Sequence, residues 1–126
     1  MTPLDLRSIE ASLGVVLPSA YKEFMATPQS SANTSFWDDA DEIIKQTKAQ
    51  RKGFGGAPPW PADLVVIGDE EDACLYALDC RTGTVVQTDH GNLDSKPLAT
   101  FGSVAELIEA TAEAMEAARK PWWRFW

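Results

Sequence analysis

Between Gly53 and Pro61 the chain places three glycines and three prolines, and apolar residues are spaced differently on the two sides of that break. Upstream they recur every three or four residues; downstream, as far as Phe101, the pattern is that of extended chain. Proline lacks the amide donor a helix interior needs, and glycine loses the most backbone entropy on ordering. No helix crosses such a stretch, so helices and strands are segregated along the chain. Segregation of that kind predicts an α+β layer fold, with N-terminal helices, a central antiparallel meander of three to four strands and a long C-terminal helix.

Thr2 is placed to cap a first helix with Pro3 at its first position, where the missing amide is harmless. Leu6, Ile9 and Leu13 give it an apolar stripe, and Gly14 is a stop signal. Pro18 opens a second helix with Tyr21, Phe24 and Met25 on one face. Pro28 closes it, and the polar run Gln29 to Ser35 reads as a loop. A third helical segment begins near Phe36-Trp37, with Ala40, Ile43, Ile44 and Thr47 aligned. Its acids come first and its bases last, which complements a helix macrodipole.

Beyond the break, Leu64-Val65-Val66-Ile67 predicts a strand, and Gly68-Asp69-Glu70-Glu71-Asp72 an acidic turn. Cys74, Tyr76 and Leu78 face one side of the next strand, and Leu75 and Ala77 the other. A hairpin loop at Asp79 to Gly83 leads to Val85-Val86, and Pro97 to Phe101 fits a short edge strand. In the last helix, Ser103 and Glu106 match a capping box. Val104, Leu107, Ile108, Thr111, Ala112 and Met115 follow the 3.6-residue period. Pro121 ends it, and Trp122-Trp123-Arg124-Phe125-Trp126 follows.

A length of 126 residues fits one domain, with residues 1–120 as its core and 121–126 as an aromatic tail. No run approaches a membrane span, and the first residues lack a signal-peptide pattern, so a cytoplasmic protein is expected. Nineteen acidic against eleven basic residues give a formal charge of −8. That charge argues against direct nucleic-acid binding and favours a basic partner, although solubility alone also explains it. Cys74 and Cys80 sit some 20 Å apart if the strand between them is extended, too far for a disulfide. With one histidine, the usual zinc ligand sets cannot be assembled, and no cofactor motif is present.

Three features could carry function. His90 is a candidate catalytic group with Asp89 beside it, but neighbours on a turn seldom face each other and no nucleophile has a recognisable context, so it reads as a turn residue and no enzyme is expected. Asp69, Glu70, Glu71 and Asp72 form either a solvated hairpin tip or a negative prong for a cationic partner. The aromatic tail, with Trp122, Trp123 and Trp126, docks back on its own domain, forms a homodimer contact or anchors a partner; the net negative charge works against a fourth destination, an anionic membrane surface.

Several of these motifs occur in a recognisable order. Ile9-x-x-x-Leu13-Gly14, Leu17-Pro18-x-x-Tyr21-x-x-Phe24, Trp60-Pro61-x-Asp63-Leu64-Val65-Val66-Ile67-Gly68, Leu75-Tyr76-x-Leu78-Asp79 and Phe101-x-Ser103-Val104-x-Glu106-Leu107 together resemble the SUKH superfamily. The chain departs from it where Pro28-Gln29-Ser30-Ser31 and Asp69 to Asp72 replace glycine-containing loops. The resemblance implies a bacterial immunity protein, which neutralises a cognate toxin, often a nuclease, by stoichiometric binding. On that reading Asp69 to Asp72, with Asp38 and Asp39, pair with cationic toxin residues, and exposed aromatics anchor the complex. The superfamily also contains eukaryotic regulators, so a non-catalytic scaffold domain is the alternative.

Overall fold

The computed structural model describes residues 1–53, 57–70 and 74–119. Its elements are α1 (Pro3–Leu13), α2 (Ser19–Met25), α3 (Gln29–Ala32), α4 (Ala40–Arg51), β1 (Leu64–Glu70), β2 (Cys74–Asp79), β3 (Val85–Gln87), β4 (Ala99–Phe101) and α5 (Val104–Arg119). The strands form one antiparallel meander in the order β1-β2-β3-β4. This is the α+β layer arrangement that the change of periodicity predicts.

The first helix starts as its sequence dictates. Thr2 Oγ1 accepts from the Asp5 amide at 3.1 Å, and Asp5 Oδ2 accepts from the Thr2 amide at 2.9 Å. Two otherwise orphaned donors are thus satisfied reciprocally. The helix ends where Gly14 adopts φ 67°, a left-handed conformation that residues with a Cβ resist. Leu6, Ile9 and Leu13 are buried.

Three boundaries differ from the sequence expectation. The polar run after Pro28 contains one helical turn, α3, because the Ser30 hydroxyl, itself buried, donates to Thr27 O at 2.9 Å and holds the turn closed. The third long helix begins at Ala40, not near Phe36. Phe36 and Trp37 instead run alongside β1: Trp37 N donates to Ile67 O at 3.0 Å and Asp69 N to Ser35 O at 3.1 Å. Finally, β1 does not stop at Ile67. A bulge between Val66 and Gly68 lets it continue, with Asp69 opposite Leu75 and Glu70 opposite Cys74.

Gly68 makes that continuation compatible with the neighbouring segment. A Cβ at this position would lie 1.8 Å from Ser35 O, so only glycine admits the approach. Farther along the same edge, Thr47 Oγ1 of α4 accepts from Val66 N at 3.0 Å. Together these contacts cover the outer edge of β1, where unpaired amides would otherwise invite another chain.

The sheet is buried on both faces. Val65, Ile67, Tyr76, Leu78 and Val85 join Ile9, Leu17, Tyr21, Met25, Ile43 and Leu107 from the helices in the main core. Val66, Leu75 and Ala77 form a smaller core under Trp60, whose Nε1 donates to Gly91 O at 2.8 Å. A fully buried aliphatic side chain contributes about 1.5–3 kcal/mol, so the larger, helix-covered face supplies most of the stability. At the start of α5, Ser103 Oγ accepts from Glu106 N at 3.2 Å, and Glu106 reaches back to the Gly102 amide at 2.7 Å. The expected cap forms, with the return bond one residue earlier than in the standard box. Asn33 Nδ2 ties α5 to the segment after α3 by donating to Thr111 Oγ1 at 2.8 Å.

Candidate functional site

Packing of α1 against α4 brings two acidic helix starts together. They enclose a shallow cleft of about 260 Å³, lined by Asp5, Asp38, Asp39, Ala40 and Asp41. Asp39 caps α4, its Oδ1 accepting from Asp41 N at 3.0 Å and Glu42 N at 3.3 Å. The Asp5 carboxyl is held below its ordinary range by the Thr2 backbone amide and then the Thr2 hydroxyl. Both acids also sit at positive helix ends. Asp5 and Asp39 are therefore committed to their own helices. The carboxylates of Asp38 and Asp41, by contrast, make no hydrogen bond or ion pair among the described residues. Both residues are exposed. The cleft offers negative charge with two uncommitted groups at its mouth, which suits a lysine or arginine side chain.

The second acidic feature is partly absorbed by the fold. Asp69 and Glu70 lie in β1 and are half-buried. Asp69 Oδ1 accepts from Trp37 Nε1 at 3.0 Å. Glu70 Oε1 accepts from Ser35 Oγ at 2.5 Å and from the Tyr76 hydroxyl at 2.9 Å. Burial, and then the bond to Glu70, raise the Tyr76 phenol above its ordinary range. Asp69 and Glu70 thus belong to a strand and not to the turn expected for them, and they brace residues 35–37. Glu71, Asp72, Trp122, Trp123 and Trp126 lie outside the described residues.

His90 does face its neighbour, against the expectation for adjacent turn residues. Its Nδ1 lies 2.6 Å from Asp89 Oδ1, because the backbone of His90 takes the left-handed conformation, φ 53°. Both side chains are largely exposed. The surrounding turn is pinned from below, where Thr88 Oγ1 accepts from Gly91 N at 3.0 Å and Trp60 holds Gly91 O. Cys74 and Cys80 fall at the two ends of the β2 region and form no disulfide with each other. The Cys80 thiol is pushed up to about 12, first by burial and then by Asp79. Among the described residues no group of three or more His, Cys, Asp or Glu could hold a metal, and no helix is long and apolar enough to cross a membrane.

A separate concavity of about 630 Å³ runs between α2, α3 and α5, with Phe24, Ala32, Ile108, Ala112 and Met115 in its lining. Sequence periodicity assigns Phe24, Ile108, Ala112 and Met115 to core-facing stripes. The structure buries Val104, Leu107 and Thr111 of α5, but leaves Ile108 and Met115 half-exposed and Ala112 exposed. The stripe outruns its cover because α3 is only one turn long. Asp5 and Asp41 also escape a reading for partner-binding residues. Their signals are the Thr2-x-x-Asp5 capping pattern and the acids after Asp39, but only tertiary packing unites them.

The sequence profile of the SMI1 / KNR4 family (SUKH-1) matches residues 1–109, which takes in every element through the first turns of α5. No curated protein and no solved structure matches the chain.

Proposed function

The chain belongs to the SMI1 / KNR4 family (SUKH-1), and from that membership we propose that it is a bacterial immunity protein, binding a cognate toxin one to one in the cytoplasm. It acts by occupancy and carries out no chemistry. The observation that carries this reading is the acidic cleft at the joined starts of α1 and α4, where Asp38 and Asp41 are exposed and uncommitted. A nuclease is the toxin class that such a surface fits. An enzyme that binds a polyphosphate chain needs a cluster of Lys and Arg. A rigid protein bearing carboxylates complements that cluster and excludes the substrate. Glu71 and Asp72 join the proposal on sequence alone.

The test is co-expression with the product of the neighbouring gene. The protein should co-purify with it and restore growth that the product alone abolishes. Asp38→Lys combined with Asp41→Lys should slow association roughly tenfold at low ionic strength, with the gap closing as salt screens the charges. A neighbouring product that is neither toxic nor bound would overturn the reading. Modest binding to several cellular proteins without growth rescue would instead identify a regulatory scaffold.

A further inference from the structure

We propose that the groove between α2, α3 and α5 is a docking site for a short amphipathic helix of a partner protein, apolar along one face and basic beside it. The groove holds about 630 Å³ and is floored by Phe24, Ile108, Ala112 and Met115, with Glu116 at its edge. Phe24, Ile108 and Met115 are half-exposed, and Ala112 is exposed. Apolar side chains left together at a surface mark a contact site, whereas scattered ones do not.

The polar groups of the lining decide what kind of occupant fits. Thr27 Oγ1 donates to Phe24 O at 2.6 Å. Asn33 Nδ2 is committed to Thr111, and Asn33 Oδ1 accepts from Ser35 N at 3.1 Å. A small-molecule site orients its ligand through a few converging donors and acceptors, and here the fold has already claimed those two side chains. The walls are helical, with backbone groups paired along each helix, so an extended chain laid against them would leave its own amides unsatisfied. A helix brings its backbone already paired. The groove follows α5 from Ile108 to Glu116, about 12 Å or two turns. That length takes the apolar residues such a helix presents at i, i+3 or i+4, and i+7.

Charge decides the sign of the partner. α5 carries Glu106, Glu109, Glu113 and Glu116 and no base before Arg119. Glu106 is committed to the Gly102 amide. Glu109, Glu113 and Glu116 are exposed and make no hydrogen bond or ion pair among the described residues. Spaced four and three apart, they form one row on the helix flank beside Ala112. Glu116 also stands in the last turn of α5, where negative charge opposes the macrodipole, the reverse of the arrangement in α4. A basic helix in the groove would offset both that conflict and the repulsion within the row. A second copy of this chain would bring the same acids and a further net charge of −8, so like charge works against self-association there. The inference rests neither on the acidic cleft nor on the identity of any toxin.

The test uses the full chain, labelled at its methionine methyl groups. Met115 serves as the reporter, with Met25, buried in the main core, as the internal reference. The probe is a synthetic peptide of about 14 residues, four turns of helix, with leucines on one face and lysines flanking them. One control peptide has glutamate in place of lysine, and a second has the probe's residues reordered so that its leucines share no face. The basic peptide should shift the Met115 signal saturably and leave Met25 in place. Ala112→Arg, at an exposed position, should abolish the shift. Glu113→Lys combined with Glu116→Lys should weaken binding about tenfold at low ionic strength. No shift of Met115, or an equal shift from either control, would overturn the proposal. Without peptide, a Met115 signal that moves with protein concentration would also overturn it, by making a second copy the occupant. Cross-relaxation from Met115 to the indoles of Trp122, Trp123 or Trp126 would do the same, by giving the groove to the chain's own residues.

Discussion

Replacing Gly68 by alanine tests whether the segment 35–37 is built against β1 as described. The added Cβ would stand 1.8 Å from Ser35 O, 2.9 Å from Ser35 C and 3.1 Å from Phe36 Cα. All three are backbone atoms, so no side-chain rotation relieves the contact. The segment must withdraw, breaking the Trp37 N to Ile67 O and Asp69 N to Ser35 O bonds. Two such bonds are worth about 2 kcal/mol together. Phe36, only 5% exposed, would lose part of the roughly 1.5–3 kcal/mol that burying its ring contributes. The expected destabilisation is therefore about 3–4 kcal/mol, a large share of the roughly 5–15 kcal/mol of a typical domain. In urea, with a slope of about 1.5 kcal/mol/M, the midpoint should fall by roughly 2 M. The sign is diagnostic, since alanine in an open strand would stabilise by about 0.5–1 kcal/mol. Gly14→Ala is the control: φ is 67° but nothing lies within 4 Å, so strain of about 1–2 kcal/mol should lower the midpoint by about 1 M. An unchanged or raised midpoint for Gly68→Ala would refute the approach of the two segments.

Three further outcomes are expected. Thr111→Val should destabilise by about 1–3 kcal/mol in the same denaturation assay, because Asn33 Nδ2 loses its buried acceptor, whereas Thr111→Ser should recover most of it. The two tyrosines, Tyr21 and Tyr76, are both raised above their ordinary value of 10.0, chiefly by burial. A raised folded value means the stability they contribute is complete below the unfolded value and lost as pH rises through the folded one. Phenolate absorbance should accordingly stay flat through the normal tyrosine range and rise only together with loss of the far-ultraviolet circular dichroism. Asp5 has the opposite sign: its folded value lies below 3.8, so its contribution is present above that pH and fades as the pH falls through the folded value. Carboxyl-carbon titration should show a depressed midpoint for Asp5, and Thr2→Ala should move it upward.

Local chemistry made much of the fold legible. Thr2, Pro3 and Gly14 act within one helix, so their meaning does not depend on the rest of the molecule. The alternation along β2 was equally clear, because each face of the sheet has its own core, Tyr76 and Leu78 joining one and Leu75 and Ala77 the other. The boundaries that shifted are those decided by distant contacts. Gln29 to Ala32 is polar by composition, yet it closes a turn because Ser30 finds Thr27 O and Asn33 finds Thr111, 78 residues away. Gly68 looks like the start of a turn when read alone. Its real constraint is Ser35, a residue that sequence periodicity places in a loop.

The same distinction governs the acidic surface. Composition reveals how many carboxylates the chain has, but not which of them the fold captures. Asp69 and Glu70 looked like the free end of a hairpin, and they are taken by Trp37 and Ser35, 32 and 35 positions away. Asp39 is taken by the helix it starts, and Asp5 by Thr2. Asp38 and Asp41 are next to captured acids and are themselves left over. Captured carboxylates still contribute to the field but cannot move to meet a partner, since doing so would break a cap or a strand contact. Short-range pairing with a cation is left to the uncommitted ones. Of the described acids that the partner-binding reading draws on, Asp38 and Asp41 in the cleft between the starts of α1 and α4 are left for such pairing and Asp69 and Glu70 are not, while Glu71 and Asp72 lie outside the described residues. Reversing Asp38 and Asp41 should therefore affect association more than reversing Asp69, whose replacement should instead be read as lost stability around Trp37.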